Sequence, residues 1–172
     1  MTIILYLDTS RLLHRTSNRQ LPTGVDRVGL AYVRHYRERA RALLSFRGWF
    51  GALGAADSTA LFDHLLSSES MTKAQLRRLV IKAITGRFQG LQPGVLLHTA
   101  HSGIEFQRSY NDLARSRVGL VAMIHDLIPL THPEYCRPGV LELQTRRMRV
   151  AMSQARGIIA NSEDTARSIE VF

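Results

Sequence analysis

The feature that most constrains the fold is a continuous apolar segment, Val118–Ile124, which is followed at once by His125 and Asp126. The segment is too short for a helix, and it lacks the alternation of apolar and polar residues that a half-exposed strand would show. We therefore predict a strand that is covered on both faces, after which the proline-rich stretch 129–138 turns the chain out of the sheet. Ligands of open parallel sheets bind beyond such strand ends. The sequence thus predicts chemistry at His125 and Asp126.

Strands and helices alternate along the rest of the chain. Further strands are predicted at residues 2–7, 43–46, 95–97 and 157–160. Helices are predicted at residues 23–41, 58–66, 72–84 and 139–155, with a last one capped by Ser162. Residues 11–22 are predicted to form a basic loop and residues 49–56 a linker. This alternation is typical of an α/β fold with a Rossmann-like, doubly wound and mostly parallel sheet.

Length and charge limit the classes of function. A chain of 172 residues has room for one domain, and its content of 45% hydrophobic and 22% charged residues is that of an ordinary globular protein. The net charge of +9 favours an anionic partner, which could be a nucleotide diphosphate, an anionic membrane surface or nucleic acid. No helix-turn-helix, zinc-ligand or RNA-binding signature accompanies the charge, so we expect no nucleic-acid partner.

The cell compartment is predicted from the amino terminus and the cysteine content. The first ten residues contain no basic leader, and the single cysteine, Cys136, cannot form an internal disulfide. We therefore expect a cytoplasmic protein, which its arginines could hold at the anionic inner face of the membrane.

Polar residues follow four of the predicted strands. If these strands are parallel, their polar ends share one crevice. The residues concerned are Asp8 to Ser10, His98 with His101 and Ser102, His125 with Asp126, and Asn161 with Ser162.

The helix that begins at Thr23 points its amino terminus towards the same side. Its free N–H groups favour an anion, and Gly24 would let a phosphate or a sugar approach the backbone closely. The same residues also fit plainer roles, because Thr23 and Asp26 have capping-box spacing and Ser162 suits a helix cap. A local structural role for His125 stays open, and His98 and His101 would bind zinc only with further ligands.

Four motifs occur together in a characteristic order. They are Asp8-x-Ser10-Arg11, Thr23-Gly24-Val25-x-Arg27, Ile124-His125-Asp126-Leu127-Ile128-Pro129 with His132-Pro133-Glu134-Tyr135, and Ile158-Ile159-Ala160-Asn161-Ser162-Glu163. In order and spacing this series resembles the amino-terminal half of retaining glycosyltransferases of the GT4 family.

The resemblance implies a fold, an activity and a set of site residues. It implies one half of a GT-B architecture that transfers a hexose from a sugar nucleotide to a saccharide or lipid-linked acceptor, in cell-surface polysaccharide or glycolipid synthesis, without a catalytic metal or other cofactor. His125 would contact the transferred sugar, and Asp126 would shape its pocket as the second catalytic candidate. Gly24 would lie near the donor phosphates or the acceptor. The other candidates for substrate or donor binding are Thr23, Arg27, Ser10, His101, Asn161 and Ser162.

The resemblance covers the acceptor-side half only, and we expect the chain to lack the donor-binding second domain of such enzymes. We expect residues 1–172 to form a single acceptor-side domain that is inactive alone, since the leaving diphosphate would not be stabilised. The surface that the missing half would cover is expected to cause self-association. The alternative is a stand-alone Rossmann-like module that binds a nucleotide or an anion without catalysis.

Overall fold

The computed structural model describes residues 3–67, 71–88 and 91–172. It contains one six-stranded sheet with the order β3-β2-β1-β4-β5-β6, in which every neighbouring pair is parallel except β2 and β3. The strands are β1 Ile4–Asp8, β2 Ala40–Phe46, β3 Trp49–Ala52, β4 Gly94–His98, β5 Val118–Ile124 and β6 Ala155–Ala160. The predicted α/β, mostly parallel sheet is confirmed. Thr2, which was predicted to begin the first strand, lies outside the described residues.

Helices cover both faces of the sheet. They are α1 Ser10–Ser17, α2 Gly24–Tyr36, α3 Ala55–Leu66, α4 Lys73–Phe88, α5 Gln107–Arg115, α6 Ile128–Thr131, α7 Val140–Gln154 and α8 Glu163–Val171, with a short 3-10 helix at Pro133–Tyr135. Tyr6 and Leu7 are neighbours in β1 but belong to two different hydrophobic clusters. One cluster packs under α1 to α4 and the other under α5 and α7, as expected for a doubly wound sheet.

Strand β5 forms at the predicted residues. Each of its residues is buried except Val121, which is partly exposed. The continuous apolar run produces this result because both faces of the strand lie under helices. The strand lies between β4 and the edge strand β6, one place from the edge of the sheet.

The prediction of a loop at residues 11–22 was wrong for its first part, where α1 forms. The Asp8 carboxylate accepts a hydrogen bond from the Ser10 N–H at 2.9 Å, at the start of this helix. Leu12 and Leu13 are buried against the second hydrophobic cluster. Two adjacent leucines between basic residues gave too weak a helical pattern for the sequence to indicate this helix.

The prediction of a linker at residues 49–56 was also wrong. The chain turns back through Arg47 and Gly48, both with positive φ (44° and 90°), and β3 then pairs antiparallel with β2. Such tight hairpin turns usually carry Asn-Gly or Asp-Gly, so Arg47-Gly48 gave no clear turn signal. Helix α3 follows almost immediately, from Ala55.

Candidate functional site

A cavity of about 490 Å³ opens beside the carboxyl ends of β1 and β2, where α1 and the segment before α5 approach each other. We call it the switch-point cavity, because the chain order of the sheet reverses between β1 and β4, and ligands of doubly wound sheets bind at such points. Its volume lies within the range of small-molecule sites. Its polar wall includes Asp8, Ser10, Ser45 and Ser102, and its apolar wall includes Leu43, Phe50, Leu96 and Leu113.

The Asp8 carboxylate organises the polar wall of this cavity. Its Oδ1 accepts hydrogen bonds from the Ser10 N–H and hydroxyl, and its Oδ2 accepts one from the Ser45 hydroxyl at 2.9 Å. Burial alone would raise the pKa of Asp8, but the charge and contact of His98 together with the Ser10 hydrogen bonds outweigh it and lower the pKa. Asp8 is therefore an ionised, buried carboxylate that fixes two serine hydroxyls at the cavity.

His98 joins the ends of β4 and β1 beneath the cavity. The residue is 1% exposed, and its Nδ1 lies 3.1 Å from Asp8 Oδ2. The two atoms are close enough for an ion pair but are not aligned for a hydrogen bond. The other ring nitrogen, His98 Nε2, has no hydrogen-bond partner among the described residues. A buried imidazole in this position couples the two strands on either side of the switch point.

The carboxylate of Asp26 caps the amino terminus of α2. Asp26 is 2% exposed, and its Oδ2 accepts hydrogen bonds from the Thr23 N–H at 2.7 Å and the Thr23 hydroxyl at 2.6 Å. Burial would raise the pKa of Asp26, but these hydrogen bonds and Arg11 lower it. The capping interpretation of this motif is therefore confirmed. Because a carboxylate already occupies the position that favours an anion, the helix terminus is less available to a ligand phosphate.

Arg11 and Arg15 connect α1 to this cap. Their Nε atoms lie 2.7 Å and 2.8 Å from the two carboxylate oxygens of Asp26. Arg11 also donates to the Ser102 hydroxyl and the Thr23 hydroxyl, each at 3.4 Å. One arginine thus links the first two motifs and Ser102 at the same edge of the sheet.

His101 and His125 form a second polar group at this edge. Their ring centroids lie 5.2 Å apart, and the His125 N–H donates to His101 Nε2 at 3.1 Å. The His125 Nε2 lies 2.9 Å from the Thr99 carbonyl oxygen, so this nitrogen carries a proton and donates it. Burial and then the neighbouring His125 lower the pKa of His101 to about 4, although Asp126 acts in the opposite direction. His101 is consequently a neutral acceptor near neutral pH.

The end of β6 is tied to the same histidine. Thr165 is buried, and its hydroxyl donates to the His125 carbonyl oxygen at 3.2 Å and lies 3.0 Å from Asn161 Oδ1. The Ser162 hydroxyl accepts a hydrogen bond from the Thr165 N–H at 3.1 Å, which confirms Ser162 as the cap of α8. Asn161 and Ser162 therefore hold α8 against the carboxyl end of β5.

The remaining predicted site residues make few contacts with these groups. Asp126 accepts a hydrogen bond from the Ile128 N–H at 3.2 Å. Gly24 is exposed, with no atom within 4 Å of the place a Cβ would take, and the exposed Arg27 side chain has no partner among the described residues. Among the described residues, the predicted strand-end residues Asp8, Ser10 and Ser102 line the switch-point cavity, and of the candidates for catalysis or substrate binding only Ser10 does so.

Sequence reasoning missed several residues of the cavity wall. Ser45 follows the rule for polar residues at strand ends, and that signal could have identified it. Arg47 lies in a hairpin turn, Tyr110 lies in α5 and Phe106 directly precedes that helix, and the sequence gave no prediction for either element. Burial, and then the Asp8 carboxylate, raise the pKa of Tyr110, so its hydroxyl stays protonated.

The described residues contain neither a candidate membrane span nor a candidate metal site. None of the described helices combines the length and the hydropathy needed to cross a bilayer. Within residues 3–67, 71–88 and 91–172, no group of three or more His, Cys, Asp or Glu side chains is arranged to hold a metal ion.

The fold and the cavity define a Rossmann-like α/β protein with a cleft at its switch point. Comparisons with protein-family models, with curated proteins and with solved structures each found no match.

Proposed function

We propose that this chain is the acceptor-side domain of a retaining, sugar-nucleotide-dependent glycosyltransferase. It would help transfer a hexose to a saccharide or lipid-linked acceptor in the synthesis of a cell-surface polysaccharide or glycolipid. The observation that carries the proposal is the convergence of separate sequence motifs on one sheet edge. Arg11 links the first motif to Thr23 and Asp26 in the second, and Thr165 links Asn161 and Ser162 to His125.

The chemistry of this edge suits a ligand rich in hydroxyl groups. The switch-point cavity presents the hydroxyls of Ser10 and Ser45, which donate their protons to Asp8, so their oxygens can accept hydrogen bonds from saccharide hydroxyls. His101 and His125 are held by hydrogen bonds in defined orientations, so they can contact a sugar without reorganising.

Three of the candidate residues have a direct role in this proposal. His125 contacts the transferred sugar, and Asp126 shapes the pocket beside it. Ser10 lies on the acceptor side, in the wall of the switch-point cavity. A second domain would grip the sugar nucleotide and stabilise the charge of the leaving diphosphate, so the domain alone would not catalyse transfer.

The proposal extends to the place of action. A chain with a net charge of +9 is attracted to the anionic leaflet of a membrane, where lipid-linked acceptors reside. We place the protein in the cytoplasm, with peripheral contact to the inner face of the membrane.

A sugar-transfer assay tests the proposal. The chain would be joined to a donor-binding domain and compared with its His125→Ala variant and with His35→Ala, which changes a histidine on the last turn of α2. We expect His125→Ala to lose most of the transfer and His35→Ala to keep it, with circular dichroism confirming that both fold. Undiminished transfer by His125→Ala would remove His125 from the mechanism, and failure of the chain to bind any saccharide acceptor would contradict the proposal.

A further inference from the structure

A second cavity adjoins the switch-point cavity on its outer side. It has a volume of about 480 Å³ and shares Arg47, Gly48 and Phe106 with the first one. We call it the basic groove, and its wall consists of Arg47, Gly48, Trp49, Phe106, Gln107 and Arg108. The two spaces thus meet at the β2–β3 turn and at the residue before α5.

The two cavities differ in chemistry. The inner one has a floor of large apolar side chains, including Leu43, Phe50, Leu96 and Leu113. Its one carboxylate, Asp8, is already satisfied by Ser10, Ser45 and His98. The basic groove contains two arginines and no acidic residue. The inner cavity thus combines an apolar floor with a polar rim that includes Arg11, Arg15 and the serine hydroxyls, and it opens to the positively charged basic groove.

Arg47 is the residue that faces both spaces. It is exposed, its guanidinium lies 5.4 Å from the ring centroid of Phe46, and it has no ion-pair partner among the described residues. Its φ of 44° lies in the left-handed region, where Asn, Asp and Gly are favoured and a long side chain is uncommon. Among the described residues, the other non-glycine residues with positive φ are Arg19 and Arg117, which follow the C-caps of α1 and α5, where a left-handed residue is ordinary. Arg47 is therefore the one that bears this backbone conformation at a cavity.

We infer that the joined cavities bind an anionic amphiphile, in which a phosphate or carboxylate lies at Arg47 and Arg108 and an apolar chain or ring enters the switch-point cavity. The inference rests on the proposed function only in identifying this ligand as the acceptor. It narrows the acceptor class to molecules that carry an apolar group beside an anionic group. Either a membrane lipid or a soluble metabolite could supply this chemistry.

The chain carries its own reporter for the test. Trp49 is its single tryptophan and lines the basic groove, so its fluorescence should change when the groove is filled. The probes are octyl phosphate below its micelle concentration, octanol and inorganic phosphate, with the heat of binding measured in parallel. We expect saturable binding of octyl phosphate that is at least about tenfold tighter than that of octanol or phosphate alone.

Two matched variants separate recognition from folding. Arg47→Asn removes the cation but suits the left-handed backbone, so it should fold at least as well as the parent chain and bind octyl phosphate about tenfold more weakly. Arg117→Asn removes the same charge at another left-handed position, outside both cavities, and should leave binding unchanged.

The outcomes decide the inference. No saturable binding by either readout, equal binding of octanol or of inorganic phosphate, or unchanged binding by Arg47→Asn would overturn it. Binding to vesicles of phosphatidylglycerol in phosphatidylcholine as well as to octyl phosphate would identify a membrane lipid as the source, whereas binding to octyl phosphate alone would identify a soluble ligand. Both results agree with the inference. This experiment measures ligand binding and not sugar transfer. A negative result would therefore overturn the amphiphile site without contradicting the proposed glycosyltransferase function.

Discussion

Asp8 is the residue on which the polar wall of the switch-point cavity depends. Its carboxylate holds Ser10 and Ser45 and lies against the buried His98. Asp8→Asn would leave that imidazole without its charged partner, so we expect a loss of about 3 kcal/mol in the free energy of unfolding. Urea denaturation at neutral pH measures this loss.

The pH dependence of stability gives a second readout for Asp8. Its folded pKa lies below the ordinary value of 3.8, so its contribution is fully present above that value and is lost as pH falls through the folded pKa. Asp8→Asn should remove this part of the acid sensitivity. Asp164→Asn, which changes a carboxylate whose side chain is 88% exposed, should leave the curve unchanged. Equal effects of the two variants would contradict the role assigned to Asp8.

The lowered pKa of His101 predicts a change of stability in a different pH range. Its pKa falls from 6.5 to about 4 on folding, so the unfolded chain binds the proton first as pH decreases. Stability should therefore decline as pH falls from 6.5 towards about 4, by on the order of 2 kcal/mol after allowance for partial exposure. His101→Asn should flatten this part of the curve, whereas a slope that persists in the variant would assign it to another group.

At the scale of elements, the polar contact between α1 and α2 depends on the carboxylate of Asp26. Asp26 caps α2 and pairs with Arg11 and Arg15 of α1. Asp26→Asn should lower the free energy of unfolding by about 2 kcal/mol, because a buried charge partner and part of the cap are lost together. Asp112→Asn breaks an ion pair whose arginine is 80% exposed and should cost less than about 1 kcal/mol. Similar losses for both variants would show that the contact between α1 and α2 contributes little to the free energy of unfolding.

Close backbone contact fixes α4 against β3. A Cβ on Gly51 would lie 1.9 Å from the Ala83 carbonyl oxygen, and one on Gly86 would lie 2.4 Å from the Ala52 carbonyl oxygen. Gly51→Ala and Gly86→Ala should each destabilise the chain by about 1–3 kcal/mol, as measured by chemical denaturation. Gly54→Ala is the control, because nothing lies within 4 Å of its Cβ position. A neutral effect of Gly51→Ala would contradict this packing.

The elements also show what the sequence could predict. Strand β5 was predicted correctly because burial on both faces requires an unbroken apolar run. Helix α1 was missed because its buried pair, Leu12 and Leu13, is surrounded by basic residues whose positions depend on the distant Asp26. Strand β3 was missed because its hairpin turn uses Arg47 where Asn is usual.

The candidate site was predictable in part for a related reason. Polar residues at strand ends must gather at one edge of a parallel sheet, so the local sequence indicated His125, Ser10 and Asn161. The cavity itself depends on a hairpin turn and a helix that are distant in sequence. Arg47 and Tyr110 therefore carried no local signal.

At the scale of the whole molecule, charge and fold together limit the partner. A net charge of +9 would attract both a nucleotide and an anionic acceptor, so charge alone does not separate the two interpretations. We favour the acceptor-side proposal because Asp26 occupies the α2 terminus, while the switch-point cavity is open beside oriented hydroxyl groups. This difference is the physical basis for the acceptor-side proposal.

Isothermal titration calorimetry of the chain against a nucleoside diphosphate and a panel of saccharide and lipid-linked acceptors tests this proposal most directly. The proposal predicts binding of an acceptor with little or no affinity for the free nucleotide. Tight nucleotide binding without acceptor binding would contradict it, and would favour a stand-alone nucleotide-binding module.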